Sequence, residues 1–224
     1  MRPDYRVLLI AAEGLVPGPS TGPGDRMLAD AQAQAVARGE AEDPTVNPHV
    51  AAWHEAFRAF GAKPERIRPS VDALLRRAPG GLPRIDAITD LYYAVSAAHA
   101  LPIGGEDLDR YSGPPHLVRA RGDEPFEIMS GGQASTEHPR PGEVVWTDAE
   151  GVTCRRWNWR QCVRTRLTHS TTRAGFILDD LHPMDDARLD KAGRALVDAL
   201  GRTSPSARFA TRLLRAERRP APAA

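Results

Sequence analysis

The hydrophobic pattern changes character once along the chain. Tyr5 to Ala11 (YRVLLIA) is a β-rich apolar run that predicts a strand, and the stretch VPGPSTGPGD behind it is dense in turn formers. Helical signals then take over. Asp25 to Arg38 is rich in helix formers with Asp25 as a cap, and Gly39 and the acidic segment to Pro48 end it. His49 to Phe60 sets Val50, Trp53, Ala56, Phe57 and Phe60 on one stripe, which predicts an amphipathic helix. Ser70 to Arg77 is a shorter helix, opened by a capping Ser and closed by Pro-Gly-Gly. Asp86 to Ala100 is apolar nearly all round and predicts a buried helix.

Beyond Pro102 short β-rich runs follow one another: His116 to Ala120, Pro125 to Met129, Glu143 to Asp148, Val152 to Trp159, Val163 to His169 and Ala174 to Asp180. Asp148 to Gly151 reads as a hairpin turn, and Gly131-Gly132 with the Pro-rich run to Gly142-Glu143 as a long loop between strands. Helix returns from Asp186 to Leu200 and stops at Gly201. Helices, then strands, then a helix predict an α+β fold, with N-terminal helices packed on a mixed, largely antiparallel sheet. One domain is expected over residues 1–203. Residues 204–224 are expected to form a solvated basic tail, with an amphipathic docking helix over Ala207 to Arg219 as the alternative.

Composition narrows the chemistry. The chain has 224 residues, 41% hydrophobic and 26% charged, which suits a globular domain. Thirty basic residues against 29 acidic ones leave a net charge of +1, so any contact with nucleic acid must be local. Lys63 and Lys191 are the lysines, and the other basic residues are arginines. Cys154 and Cys162, eight apart, fit neither a zinc knuckle nor a CxxC redox motif. Walker, GxGxxG, HExxH and GxSxG patterns are all missing. His49 and His54 are five apart, the wrong spacing for two ligands on one helical face, and Asp179, Asp180, Asp185 and Asp186 are accounted for by helix capping. Neither cofactor nor metal is expected. With no run of 18 apolar residues, no membrane span is expected either, and a cytoplasmic location is.

Two constellations carry chemistry. In Leu101 to Leu108 (LPIGGEDL) two glycines clear space for an approach to the backbone, and Glu106 and Asp107 set carboxylates beside it. Such a loop can hold an amine or a ribose hydroxyl; a tight turn with a solvated acidic pair is the competing account. In Cys154 to Thr172 arginines alternate with two tryptophans and meet no acid, so phosphate neutralisation and base stacking are both available. Strand alternation would place Arg156, Asn158, Arg160 and Cys162 on one face. The bland account is core Trp with solvated Arg.

Several segments together resemble a known family. They are Asp90-Leu91 and Ser96, Pro102 to Leu108, Gly142 to Val145, Arg155 to Gln161, and Thr168 to Thr172. Over roughly residues 83–180 the chain resembles the editing module of the phenylalanyl-tRNA synthetase beta subunit, the B-three/B-four domain, and more closely its free-standing relatives. The twelve-residue interval from Asp90 to Pro102 equals the family's interval from its helix Asp to the Pro of its substrate loop. Gly104 stands where the synthetase module has a His, and Tyr93 where it has an Asn. The resemblance implies a trans-editing deacylase that hydrolyses the ester of a mischarged tRNA. It implies Asp107 and Glu106 as catalytic, and Gly104, Gly105, Tyr93, Asn158 and Thr172 as substrate-binding. Arg155, Arg156, Arg160, Arg164 and Arg166 would then meet the acceptor end of tRNA. The competing functions are a non-catalytic tRNA- or partner-binding module and a hydrolase of small amino-acid esters or amides.

Overall fold

A computed structural model describes residues 2–20 and 22–216. In chain order the elements are β1 (Arg6–Glu13), α1 (Gly22–Ala37), α2 (Pro48–Ala59), α3 (Ser70–Leu75), α4 (Ala87–His99), β2 (Ile103–Asp107) and β3 (His116–Arg119). There follow β4 (Phe126–Ser130), β5 (Gln133–Glu137), β6 (Val144–Thr147), β7 (Val152–Arg155), β8 (Arg160–Gln161), β9 (Arg173–Asp180), α5 (Asp186–Thr203) and β10 (Arg208–Arg215). The fold is α+β, as the order of hydrophobic periods predicts.

Helix ends are set by local chemistry. Asn47 caps α2 by accepting from the His49 amide, Asp86 caps α4 through the Ile88 and Thr89 amides, and Asp185 caps α5 through the Arg188 amide. α1 starts before Asp25, which lies in its first turn, where a carboxylate suits the positive end of the helix. α3 begins without a side-chain cap: Pro69 holds the cap position, and the Ser70 hydroxyl, inside the helix, has no partner among the described residues.

The central sheet has the order β10-β1-β9-β2, every pair antiparallel. Strand alternation gives it two buried faces. Leu8, Ile10, Ala12, Ala174, Phe176 and Leu178 face α4 and α5. Val7 and Ile177 face the other way, onto Trp53 and Phe57 of α2 and onto a second sheet of order β3-β6-β7-β8, which supplies Val144 and Trp146. α1 and α3 pack Leu28, Val71 and Leu75 beside Ala94 of α4. The hairpin β4-β5 seats Phe126 and Ile128 against Val145 and Val152.

Five expectations are corrected. LPIGGEDL is not a loop: Ile103–Asp107 pairs with β9 as the outer strand of the central sheet. The loop expected after Gly131-Gly132 contains β5, paired back onto β4, while Val163 to His169 forms no strand of its own and meets β2 at an isolated Glu106–Arg166 bridge. The strand expected over Val152 to Trp159 ends at Arg155, because Arg156 and Trp157 take left-handed conformations with φ of 49° and 67°. The expected tail is a strand over Arg208–Arg215, neither solvated coil nor helix: β1 needs a second antiparallel neighbour, and Phe209 packs on one face while Leu214 packs on the other. The boundary placed at residue 203 therefore falls inside the fold; residues 217–224 of the expected tail lie outside the described residues.

Candidate active site

A cavity of about 160 Å³ lies between the two sheets, with α4 along one side. Register decides what enters it. Gly104 pairs with Ile177 and Glu106 with Gly175, so Gly104, Glu106, Ile177 and Asp179 share the face turned to the second sheet. Tyr92 and Tyr93 of α4 enter from the side; Trp146, Trp157 and Trp159 complete an aromatic wall. The glycines divide accordingly. A Cβ on Gly104 would meet nothing within 4 Å, so this residue opens the cavity. One on Gly105 would lie 3.0 Å from Leu167 and from Tyr92 and 3.2 Å from Phe176, so this residue permits close packing on the opposite face.

The cavity holds two buried carboxyls. Burial raises the pKa of Glu106, and side-chain hydrogen bonds from Thr165, Tyr111 and Gln161 only partly offset it. Burial pushes Asp179 up to about 7, against the pull of the Tyr5 hydroxyl, which donates to its Oδ1 at 2.6 Å. Among the described residues neither carboxyl has an ion-pair partner. Polar atoms without a well-formed hydrogen bond among the described residues surround them: Glu106 Oε2, the Ser70 hydroxyl, the Trp146 and Trp157 indole N–H groups and the Asn158 amide, which lies close enough to Asp179 to favour its ionised form. Burial normally forces such groups to find partners, so their concentration around one small space makes this the candidate site. Burial, Glu106 and Asp179 all push the Cys154 thiol up, which disfavours the thiolate.

The structure brings some of the expected residues together and separates others. Glu106, Gly104, Tyr93 and Asn158 line the cavity, and Arg160 stands with them. Asp107 does not: one residue on from Glu106, it faces away and accepts from the Thr171 hydroxyl at 2.7 Å and the Asp109 amide at 3.0 Å, capping the short turn after β2. Thr172 is exposed outside the cavity, its carbonyl accepting from the Leu15 amide.

The arginines also part company. Arg155 is buried, bonded to both carboxylate oxygens of Glu143 at 2.8 and 3.0 Å and to Glu137 at 2.8 Å. Arg164 grips both oxygens of Asp148 at 2.8 Å. These two are structural ion pairs and are not available to phosphates. Arg156 lies over the Trp159 ring at 4.2 Å. Of the five, Arg160 and Arg166 alone have no ion-pair partner among the described residues, and Arg166 is exposed. The alternation expected to align Arg156 with Asn158 fails at the left-handed pair, which instead turns Trp157 into the core, 5.0 Å from Tyr5 and 5.3 Å from Trp53.

Asp179 is the residue that capping obscured. Its signal was the run AGFILDD, whose alternation must send Asp179 and Asp180 to opposite faces; Asp180 meets Arg6 and His49 on the other side. Among the described residues no group of three or more His, Cys, Asp or Glu side chains is placed to hold a metal ion, and no helix is long and apolar enough to cross a membrane.

The sequence matches the model of the B3/4 domain family over residues 52–197, a span containing every cavity-lining residue. No curated protein matches the chain. Among solved structures, an N-terminal fragment of the phenylalanyl-tRNA synthetase beta-subunit from Pyrococcus horikoshii is similar at 14% sequence identity with a TM-score of 0.41. The match takes in 55% of this chain and 40% of that fragment.

Proposed function

We propose, from the premise that the chain belongs to the B3/4 domain family, that it is a free-standing deacylase that hydrolyses the ester joining a wrong amino acid to the terminal ribose of a tRNA. The observation that carries this reading is the pair of buried carboxyls, Glu106 and Asp179, in an aromatic-walled cavity with no cation paired to either among the described residues. An α-ammonium supplies the missing charge. A cavity of about 160 Å³ is well below the roughly 300–1,000 Å³ of sites for drug-sized ligands, so it suits one aminoacyl group and leaves the nucleotide outside.

The roles follow from position. Glu106, with one oxygen uncommitted, takes the ammonium. Asp179, with its pKa near 7, accepts the proton of a water as that water's oxygen bonds to the ester carbonyl carbon. The carbon–oxygen bond to the ribose then breaks, and the proton passes to the departing ribose oxygen, giving free amino acid and uncharged tRNA. The Asn158 amide is the donor for the developing oxyanion, a contribution of about 3 kcal/mol for one well-aimed bond. Gly104 admits the ester. Asp107 acts through the strand it anchors and does not touch substrate, while Arg160 and Arg166 face the RNA.

The test is amino-acid release from a panel of correctly and incorrectly charged tRNAs, with Glu106→Gln and Asp179→Asn beside the wild type. Selective hydrolysis of one mischarged class, lost in both variants, is expected. Binding of tRNA without turnover would make this a binding module. Equal turnover of simple amino-acid esters without tRNA would make it a small-ester hydrolase.

A further inference from the structure

A second, basic cleft of about 430 Å³ opens where the segment after α2 meets the turn before β6. Lys63 and Arg66 line one side and Arg140 and Arg156 the other, with Phe60 and Glu143 between them. Lys63, Arg66 and Arg140 are exposed, and none has an ion-pair partner among the described residues. Glu143, the one carboxylate in the cleft, is already held by Arg155 through both oxygens, and Arg156 reaches it only at 3.6 Å. Four cations thus share one committed anion. Burial lowers the pKa of Arg156, with Glu143 and Glu137 opposing it and Arg155 and Arg140 adding to it. A fold that holds like charges this close gains from a polyanion between them.

Position identifies that polyanion. Arg156 stacks on Trp159, and Trp159 is a wall of the cavity that takes the aminoacyl group, so the two spaces are separated by a single stacked pair. We propose that the Lys63–Arg66–Arg140–Arg156 cleft carries the phosphates of the nucleotides leading to the aminoacylated end of the RNA, with Trp159 and Arg156 as the step between cleft and cavity. This rests on the deacylase reading for its choice of polynucleotide. It also moves the RNA path off Arg155 and Arg164, which are committed to Glu143 and Asp148, and onto residues at the end of α2.

The experiment measures binding of uncharged tRNA and of a single-stranded RNA with the tRNA 3′ sequence, by fluorescence anisotropy across a salt series. The proteins are the wild type, Lys63→Ala/Arg66→Ala, Arg140→Ala, and Arg188→Ala on the far side as a control; all three cleft residues are exposed, so the fold should survive. Each lost phosphate contact should reduce the log–log salt slope by about 0.7 for the single strand and about 0.9 for the duplex, and the double variant should bind about tenfold more weakly. Arg188→Ala should match the wild type, and millimolar inorganic phosphate should displace little RNA. Unchanged affinity and slope in the cleft variants would overturn the proposal. So would full displacement by inorganic phosphate, which would mark a simple anion site. Deacylation of mischarged tRNA at saturating concentration, measured in parallel, separates the two ideas: its retention in Asp179→Asn with RNA binding intact overturns the cavity reading alone, and a deacylase whose cleft variants bind RNA normally fails only the cleft.

Discussion

Asp179→Asn isolates the buried acid. Asp179 is fully enclosed, and its carboxyl moves from an ordinary 3.8 to about 7 in the folded protein. Below 3.8 both states hold the proton and there is no penalty. As pH rises from 3.8 to about 7 the unfolded chain releases its proton while the native one retains it, so stability falls; above 7 both are ionised and the loss is complete. The full loss is about 4 kcal/mol, and about 3 kcal/mol of it falls between pH 5 and pH 8. Asparagine is the same size, can still accept from the Tyr5 hydroxyl, and carries no charge. Urea unfolding of both proteins at pH 5, 6, 7 and 8 should therefore show the variant gaining on the wild type by about 3 kcal/mol over this range, with equal m-values. Glu106, also raised, is present in both proteins and cancels in the difference. A constant difference across pH would refute the reasoning, and with it Asp179 as a group able to exchange a proton near neutrality. A cationic amine in the cavity should lower the Asp179 pKa and shrink the pH effect.

Other expectations separate scaffold from site. Asp107→Ala removes a buried acceptor from Thr171 and a turn cap, so it should lose about 2–3 kcal/mol and about 5–10 °C of melting temperature, with kcat/KM unchanged in the fraction still folded; selective loss of kcat at full stability would return Asp107 to the chemistry. Gly104→Ala places a methyl in open cavity and should leave melting unchanged while raising KM. Gly105→Ala must push on Leu167, Tyr92 and Phe176 and should lower stability by about 1–3 kcal/mol, measured by urea unfolding. The reverse pattern at the two glycines would mean that β2 presents its other face to the substrate.

Periodicity made most of the framework legible. The stripe Val50, Trp53, Phe57, the caps Asp86 and Asp185, and the apolar runs of β1 and β9 are local signals, and each of these elements formed where its signal lay. The resemblance, carried by PIGGEDL and the Arg-Trp run, pointed to the family, and Glu106, Gly104, Tyr93 and Asn158 do meet in one cavity. What adjacency in sequence could not say was which member of a pair faces the cavity. Glu106 and Asp107 are neighbours and so are Asp179 and Asp180, and a strand sends neighbours to opposite faces; only the pairing of β2 with β9, and the position of the second sheet over one face, selects Glu106 with Asp179. The arginines were equally undecidable from composition, because Glu143 and Asp148, which occupy Arg155 and Arg164, are 12 and 16 residues away in sequence. The C-terminal strand was hidden for the same reason: its polar, Arg-rich pattern becomes a strand only because β1 offers it an edge with matching register. Sequence by itself determined the helices and the strands with strong apolar runs, though not β2, β5 or β10, since periodicity, caps and turns act over a few residues. Tertiary structure decided the site, since burial, pairing and the choice of face are set by residues far apart in the chain.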